Sequence, residues 1–178
     1  DMNIKKNYSE LSIISLGDKC YARHLYERNN IYDFKKREVR MPFDGCLTSY
    51  ESMLSLIDKD FSNVFQGLKL VYRNDKPTFR TDLQNHVHEK STNLESFREQ
   101  MIIRINQFRE EIELCSVHNK KIVFSLMCDF PPFDLIDLLK SKYSRLDFSV
   151  FCLATTFSDK KIESFQNEYL RFHHVPKP

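Results

Sequence analysis

The chain has 178 residues, of which 41% are hydrophobic and 29% charged, and its formal net charge is +2. This composition excludes a disordered chain, and the length predicts a single domain over residues 1–178. The small net charge and the mixed run Lys35–Arg40, which contains its own Glu38, argue against a nucleic-acid partner.

Several elements are predicted in the first half of the chain from hydrophobic periodicity and turn residues. They are a buried strand at Leu11–Leu16 that ends at Gly17, a helix at Cys20–Asn30, a turn bracketed by Pro42 and Gly45, a helix at Thr48–Ile57 capped by Thr48 or Ser49, and a hairpin at Gly67–Arg80 that turns at Asn74–Pro77. Residues 82–93 have no clear period and are expected to form a loop.

The second half begins with a long amphipathic helix and then alternates. The predicted elements are a helix at Leu94–Cys115 capped by Thr92 or Asn93, strands at Lys121–Met127, Phe148–Thr156 and Leu170–Val175, and helices at Phe133–Tyr143 and Ser158–Tyr169. This alternation is typical of parallel crossover units. We therefore expect an α/β fold with an open, mostly parallel sheet, helices on both faces and a small hairpin insertion.

The compartment is predicted from the absence of targeting signals and from the cysteines. No stretch is long and apolar enough for a signal peptide or a membrane span, so a cytoplasmic protein is expected. The five cysteines are scattered singly and do not resemble a disulfide framework. Cys46, Cys115, Cys128 and Cys152 fall at predicted core or turn positions and are interpreted as structural.

The predicted strand ends place reactive residue types at one edge of the sheet. In open parallel sheets, ligands bind at the carboxyl ends of the strands. Those ends carry Gly17–Cys20, Cys128–Asp129, Thr155–Thr156 and His173–His174. A thiol, carboxylates, hydroxyls and imidazoles are therefore expected close together.

Cys20 is the candidate nucleophile of this edge. At a helix N-terminus, unpaired N–H groups and the helix dipole favour a thiolate, and the charge of Lys19 acts in the same direction. The backbone N–H groups of Gly17, Asp18 and Lys19 are placed to hold an oxyanion. The alternative is that Cys20 only packs, since free cysteine is among the most buried residue types.

A thiol nucleophile needs a base. The candidates are His86 and His88, which alternate and would face the same side of an extended chain, His24 one turn after Cys20, and the His173–His174 pair. His86 and His88 also suit a metal with a third ligand elsewhere, but the chain has no spaced metal-ligand motif and no metal is predicted. Asp44 lies in a tight turn, where an aspartate normally caps its own backbone.

The opening of the chain resembles a papain-like cysteine peptidase family of bacteria that is often found beside surface-polysaccharide genes. The matching residues are Ser15, Leu16, Gly17 and Cys20 of an SLGxxC motif, Pro42, Phe43 and Asp44 of a PFDW motif, and the pair Asp60–Phe61. His86 or His88 corresponds to the histidine of the family, and the RINQF segment at Arg104–Phe108 fits its long helix. Gly45 stands where the family has tryptophan.

The strand–Gly–x–x–Cys opening also resembles the first block of SGNH-type hydrolases, with sulfur in place of the serine oxygen. A capsule-biosynthesis acetyltransferase family of similar design binds coenzyme A. These resemblances imply a three-layer, Rossmann-like or SGNH-like fold. They also imply a hydrolase or acyltransferase with Cys20 as nucleophile, His86 or His88 as base, and Asp44 orienting the site.

The implied substrate is an acylated or amidated small molecule, or a glycan precursor in surface-polysaccharide metabolism. No cofactor is required, and a coenzyme A thioester is a candidate acyl donor. Two other functions stay open: a non-catalytic ligand-binding α/β module, and a metal-dependent hydrolase built on His86 and His88. No oligomeric state is predicted.

Overall fold

A computed structural model describes residues 11–17, 40–156, 164 and 166–175 of the chain. The described elements are, in chain order, β1 (Leu11–Ser15), β2 (Cys46–Thr48), α1 (Tyr50–Asp58), β3 (Lys69–Arg73), β4 (Lys76–Arg80), β5 (Gln84–His86), α2 (Leu94–Val117), β6 (Lys121–Met127), α3 (Phe133–Lys142), β7 (Phe148–Ala154) and β8 (Leu170–His174). The helix predicted at Cys20–Asn30 and most of that predicted at Ser158–Tyr169 lie outside the described residues.

The predicted parallel sheet is confirmed. It has four strands in the order β1-β6-β7-β8, and each neighbouring pair is parallel. One face of the sheet carries Ile14, Phe124, Val150 and Leu170 in register, and all four belong to the main hydrophobic core. Because the strands are parallel, their carboxyl ends meet at one edge of the sheet.

The predicted hairpin insertion is wrong in extent, because it is part of a second, four-stranded antiparallel sheet in the order β2-β5-β4-β3. The turn between β3 and β4 consists of Asn74 and Asp75, with φ of 51° and 60°. Two residues with positive φ match the right-handed twist of the flanking strands, and Asn and Asp tolerate this conformation. Pro77, predicted in the turn, pairs with Tyr72 inside the hairpin instead.

The loop predicted at residues 82–93 is also wrong in part, since it contains β5. This strand pairs with β2 on one side and β4 on the other. It has three residues, too few to show an alternating pattern in the sequence. Its pairing depends on segments that are distant along the chain, which local periodicity does not reveal.

Local signals at the helix starts are confirmed. The Ser49 side chain accepts a hydrogen bond from the Ser52 N–H at the start of α1, and the Asn93 side chain accepts one from the Ser96 N–H at the start of α2. These side chains satisfy backbone donors that have no partner within the helix. The buried stripe of α2 contains one charged residue, Arg104, among apolar neighbours.

The main core joins the two sheets. One contiguous cluster of buried apolar residues includes Ile14 and Phe124 of the parallel sheet, Cys46 and Phe79 of the antiparallel sheet, and Phe108 of α2. Cys46, Cys115, Cys128 and Cys152 are all buried, as the structural interpretation of these cysteines requires. No helix within the described ranges has both the length and the apolar character needed to cross a membrane.

Candidate functional site

Gly17, two residues after the end of β1, packs directly against the antiparallel sheet. Gly17 has φ of +36°, and a Cβ atom built on it would lie 2.9 Å from the Cβ of Thr48 and 3.2 Å from the Thr48 carbonyl oxygen. Backbone contact this close requires glycine, which has no Cβ. The carboxyl end of β1 therefore abuts the last residue of β2.

Replacement of Gly17 by alanine is expected to lower the free energy of unfolding by about 2 kcal/mol. About 1–2 kcal/mol comes from placing a side chain at positive φ, and the contact with Thr48 adds to it because the carbonyl oxygen belongs to the backbone. Urea unfolding of Gly17→Ala measures the loss. Gly17→Ala combined with Thr48→Ser should not recover the loss, since serine keeps the Cβ and the carbonyl oxygen that lie closest and the Cγ2 methyl group is at an ordinary 3.6 Å; a fully stable single variant would contradict the close packing.

Asp44 closes the turn that precedes β2. One of its carboxylate oxygens accepts a hydrogen bond from the Met41 N–H at 2.9 Å, and the Asp44 N–H donates to the Met41 carbonyl at 3.0 Å. Asp44 is 3% exposed. This is the backbone-capping role that the tight turn predicts for an aspartate, and it fixes the position of the following residue, Gly45.

Gly45 lies beside His88. It has φ of +71°, and a Cβ built on it would be 3.3 Å from Arg40 Nη1 and 3.7 Å from His88 Cβ. The left-handed conformation and these neighbours favour glycine. A tryptophan at position 45 would be strained in this backbone conformation.

Cys46 is a buried structural thiol. It pairs with His86 across β2 and β5. Its Sγ lies 3.3 Å from Thr48 Oγ1 and accepts a hydrogen bond from Gln84 Nε2 at 3.3 Å. Burial raises the pKa of the Cys46 thiol to about 12, which leaves almost no thiolate at neutral pH.

The two histidines of the HVH segment occupy different environments. His86 is 0% exposed, and its ring meets the ring of Phe97 edge-on at 4.9 Å. Neither ring nitrogen has a hydrogen-bond partner among the described residues. Burial lowers the pKa of His86 to about 4, so the imidazole is neutral at pH 7.

His88 is exposed. The expectation that it shares one side with His86 is wrong, because β5 ends at His86 and the chain bends at His88. Its carbonyl oxygen accepts a hydrogen bond from Arg40 Nη1 at 3.3 Å. His88 is thus exposed to solvent, while its backbone carbonyl is hydrogen-bonded to the side chain of Arg40.

A buried ion pair follows His88 immediately. Glu89 accepts two hydrogen bonds from Arg104 of α2, at 2.7 and 2.9 Å, and the two side chains are 10% and 6% exposed. Burial by itself would raise the pKa of Glu89, but the hydrogen bonds and charge of Arg104 outweigh it and hold the pKa below its usual range. Sequence reasoning missed this pair, although an arginine on the apolar stripe of α2 signals a buried partner.

At the edge of the parallel sheet, the ends of β6 and β7 are joined by polar contacts. One oxygen of Asp129 accepts hydrogen bonds from the Thr155 and Thr156 N–H groups at 2.6 and 3.0 Å, and the other accepts from the Thr155 hydroxyl at 3.1 Å. The predicted meeting of Cys128–Asp129 with Thr155–Thr156 is thus confirmed. His173 of β8 stacks on Phe151 at 6.2 Å.

The pairing of β2 with β5 links the segments of Asp44, His86 and His88, because Cys46 pairs with His86 and Gly45 neighbours His88, and Gly17 contacts the other end of β2 at Thr48. The remaining predicted site residues, Asp18, Lys19 and Cys20, lie outside the described residues, as does His24. Among the residues that are described, no three His, Cys, Asp or Glu side chains are grouped so that they could hold a metal ion.

Comparisons with protein-family models, with curated proteins and with solved structures find no significant match.

Proposed function

We propose that this protein is a cysteine-dependent hydrolase or acyltransferase, with Cys20 as its nucleophile and His88 as its general base. The observation that carries the proposal is the contact between Gly17 and Thr48. It joins the chain just before Cys20 to β2, which follows the turn of Asp44 and pairs with β5, the strand that precedes His88.

Covalent geometry supports this placement. Cys20 lies three positions after Gly17, and three positions of fully extended chain span at most about 11 Å. A Cβ on Gly17 would touch Thr48, which lies three residues after Gly45, and Gly45 neighbours His88. The chain from Gly17 to Cys20 is therefore long enough to span the distance from Thr48 back to Gly45, as the proposed pairing of nucleophile and base requires.

The burial of the two histidines favours His88 as the base. A general base needs access to the reacting group and a pKa near the working pH. His86 is 0% exposed and its pKa is lowered to about 4, whereas His88 is exposed. Asp44 would orient the site indirectly, because it closes the turn that sets Gly45 against His88.

The proposed reaction begins when His88 takes the proton of the Cys20 thiol and the sulfur attacks an acyl carbonyl. A bond forms between sulfur and carbon, backbone N–H groups at Gly17, Asp18 and Lys19 stabilise the oxyanion, and the leaving group departs with the proton from His88. Water then releases the acid in a hydrolase, or an alcohol or amine takes the acyl group in a transferase.

The substrate class is proposed from the resemblance to the peptidase family and its neighbouring genes: an acylated or amidated small molecule or a glycan precursor. A coenzyme A thioester is the candidate donor, and no cofactor is required. We also propose the finer three-layer arrangement with helices on both faces. The parallel strands, joined by α3 between β6 and β7, support it.

A non-catalytic binding module is the second candidate. The joined strand ends at Asp129, Thr155 and Thr156 form a polar edge where open sheets bind ligands. The metal-dependent alternative has less support, because His86 is buried and His88 is exposed.

The decisive test is the pH dependence of alkylation at each cysteine, followed by mass spectrometry. An ordinary thiol has a midpoint near about 8.5. We expect the Cys20 midpoint at about 7 or below, with His88→Gln raising it and the exposed-residue control His118→Gln leaving it unchanged. Cys46, Cys115, Cys128 and Cys152 are buried and serve as protected references in the same sample.

A Cys20 midpoint equal to that of an ordinary thiol, or one that His88→Gln does not move, would contradict the proposal. An unreactive, fully protected Cys20 would favour the binding module, in which this residue only packs.

A further inference from the structure

A buried ion pair holds the segment that carries His88, and a contribution to folding stability does not by itself explain the presence of this pair. Glu89 and Arg104 form a two-pronged ion pair that is almost entirely buried. Removing two charges from water is costly, and replacing such a pair by apolar residues of similar volume is often neutral or stabilising. Arg104 lies between Met101 and Ile105 on the buried stripe of α2, where an apolar residue would serve the core well.

The geometry of the pair restricts position and orientation together. The planar guanidinium holds both carboxylate oxygens of Glu89 at once, so it limits rotation as well as distance. Glu89 is the next residue after His88. A restraint on Glu89 therefore acts on the backbone from which the imidazole of His88 projects.

A second restraint acts on His88 from another direction. Arg40 donates a hydrogen bond to the His88 carbonyl, and β5 fixes the chain two residues earlier, at His86. The backbone of His88 is held on both sides, yet its side chain is exposed. A fixed backbone below an accessible imidazole is the arrangement expected of a positioned base.

We propose that Arg104, acting through Glu89, is a positioning residue that holds His88 where it meets the nucleophile. This inference rests on the proposed function and adds to it, because Arg104 acts through its contact with Glu89. It predicts that losing the two-pronged contact of Arg104 with Glu89 changes the pH profile of Cys20 alkylation even in a variant that folds normally.

The test uses two changes of different severity in the full chain. Arg104→Lys keeps the positive charge and loses the two-pronged contact, and the double variant Glu89→Leu/Arg104→Met removes both charges without leaving one unpaired. The matched control is Arg109→Lys on the same helix, where the pair with Asp60 is 47% and 57% exposed. Thermal unfolding and the pH profile of Cys20 alkylation are measured for each.

We expect Arg104→Lys and the double variant to unfold cooperatively and to move the Cys20 midpoint upward, toward that of an ordinary thiol. Adding His88→Gln to either should produce no further shift, because both changes remove the same interaction. Arg109→Lys should leave the midpoint where it is in the wild type.

Three outcomes would overturn the positioning role, and the first two tell its failure apart from that of the proposed function. In the first, the pH profile of Cys20 alkylation depends on His88 in the wild type, and both variants fold and show the wild-type profile. The positioning role is then refuted while the proposed function stands. If the wild-type profile is that of an ordinary thiol, the proposed function fails and the positioning role fails with it. Loss of folding in both variants would also overturn the inference, since it would make the pair a requirement of the fold.

Discussion

Replacement of Arg104 by methionine alone is expected to lower the free energy of unfolding by about 3–5 kcal/mol. Methionine matches the arginine stem in length, so packing on α2 changes little. The loss arises because the Glu89 carboxylate, 10% exposed, would remain buried without its hydrogen-bond donors. Urea unfolding monitored by circular dichroism measures the change.

The matched control for this effect is the exposed pair on the same helix. Arg109→Met removes the contacts with Asp60, and because both side chains are about half exposed the expected loss is about 1 kcal/mol or less. Adding Glu89→Leu to Arg104→Met should recover most of the lost stability, since no unpaired charge remains. Equal losses for Arg104→Met and Arg109→Met would contradict the buried geometry of the Glu89 pair.

Acid is expected to destabilise the protein through His86 before it affects the carboxylates. Burial lowers the pKa of His86 from 6.5 to about 4, so between these values the unfolded chain binds a proton that the folded protein excludes. Stability is therefore present above pH 6.5 and is lost as the pH falls toward 4. The loss reaches about 2 kcal/mol at pH 5.

The groups nearest His86 act in opposite directions, since Glu89 favours its protonation and Arg104 opposes it. The pKa of Glu89 is itself lowered below 4.5. Its contribution to stability is therefore lost only below pH 4.5, outside the range from pH 7 to 5. Denaturant unfolding at pH 7, 6 and 5 isolates the histidine.

His86→Leu is the informative variant for the acid effect. It removes two ring nitrogens that lack hydrogen-bond partners among the described residues, and leucine fits an apolar site beside Phe97. We expect a flatter dependence of stability on pH between 7 and 5, while His118→Leu, at an exposed position, should keep the wild-type slope. An unchanged slope in His86→Leu would show that another group is responsible.

The predictions that held depend on local physics. The strands β6, β7 and β8, the helix α3, the buried strand β1, and the caps Ser49 and Asn93 all follow from hydrophobic period and from side chains that bond neighbouring backbone. The parallel order of β6, β7 and β8 agrees with the short crossover connections between them, whereas β1 is joined to β6 through the long segment 16–120. The meeting of Asp129 with Thr155 is a consequence of that order.

The site itself required tertiary structure. His86 and His88 are chemically identical and two residues apart, but the end of β5 buries one and exposes the other, and that strand is stabilised by pairing with distant segments. The approach of Gly17 to Thr48 and the salt bridge between Glu89 and Arg104 also join residues that are distant in the sequence. The sequence alone therefore determined which residue types are available to the proposed thiol site, whereas the different burial of His86 and His88 and the Glu89–Arg104 pair depend on contacts between segments remote in the chain, which no local pattern encodes.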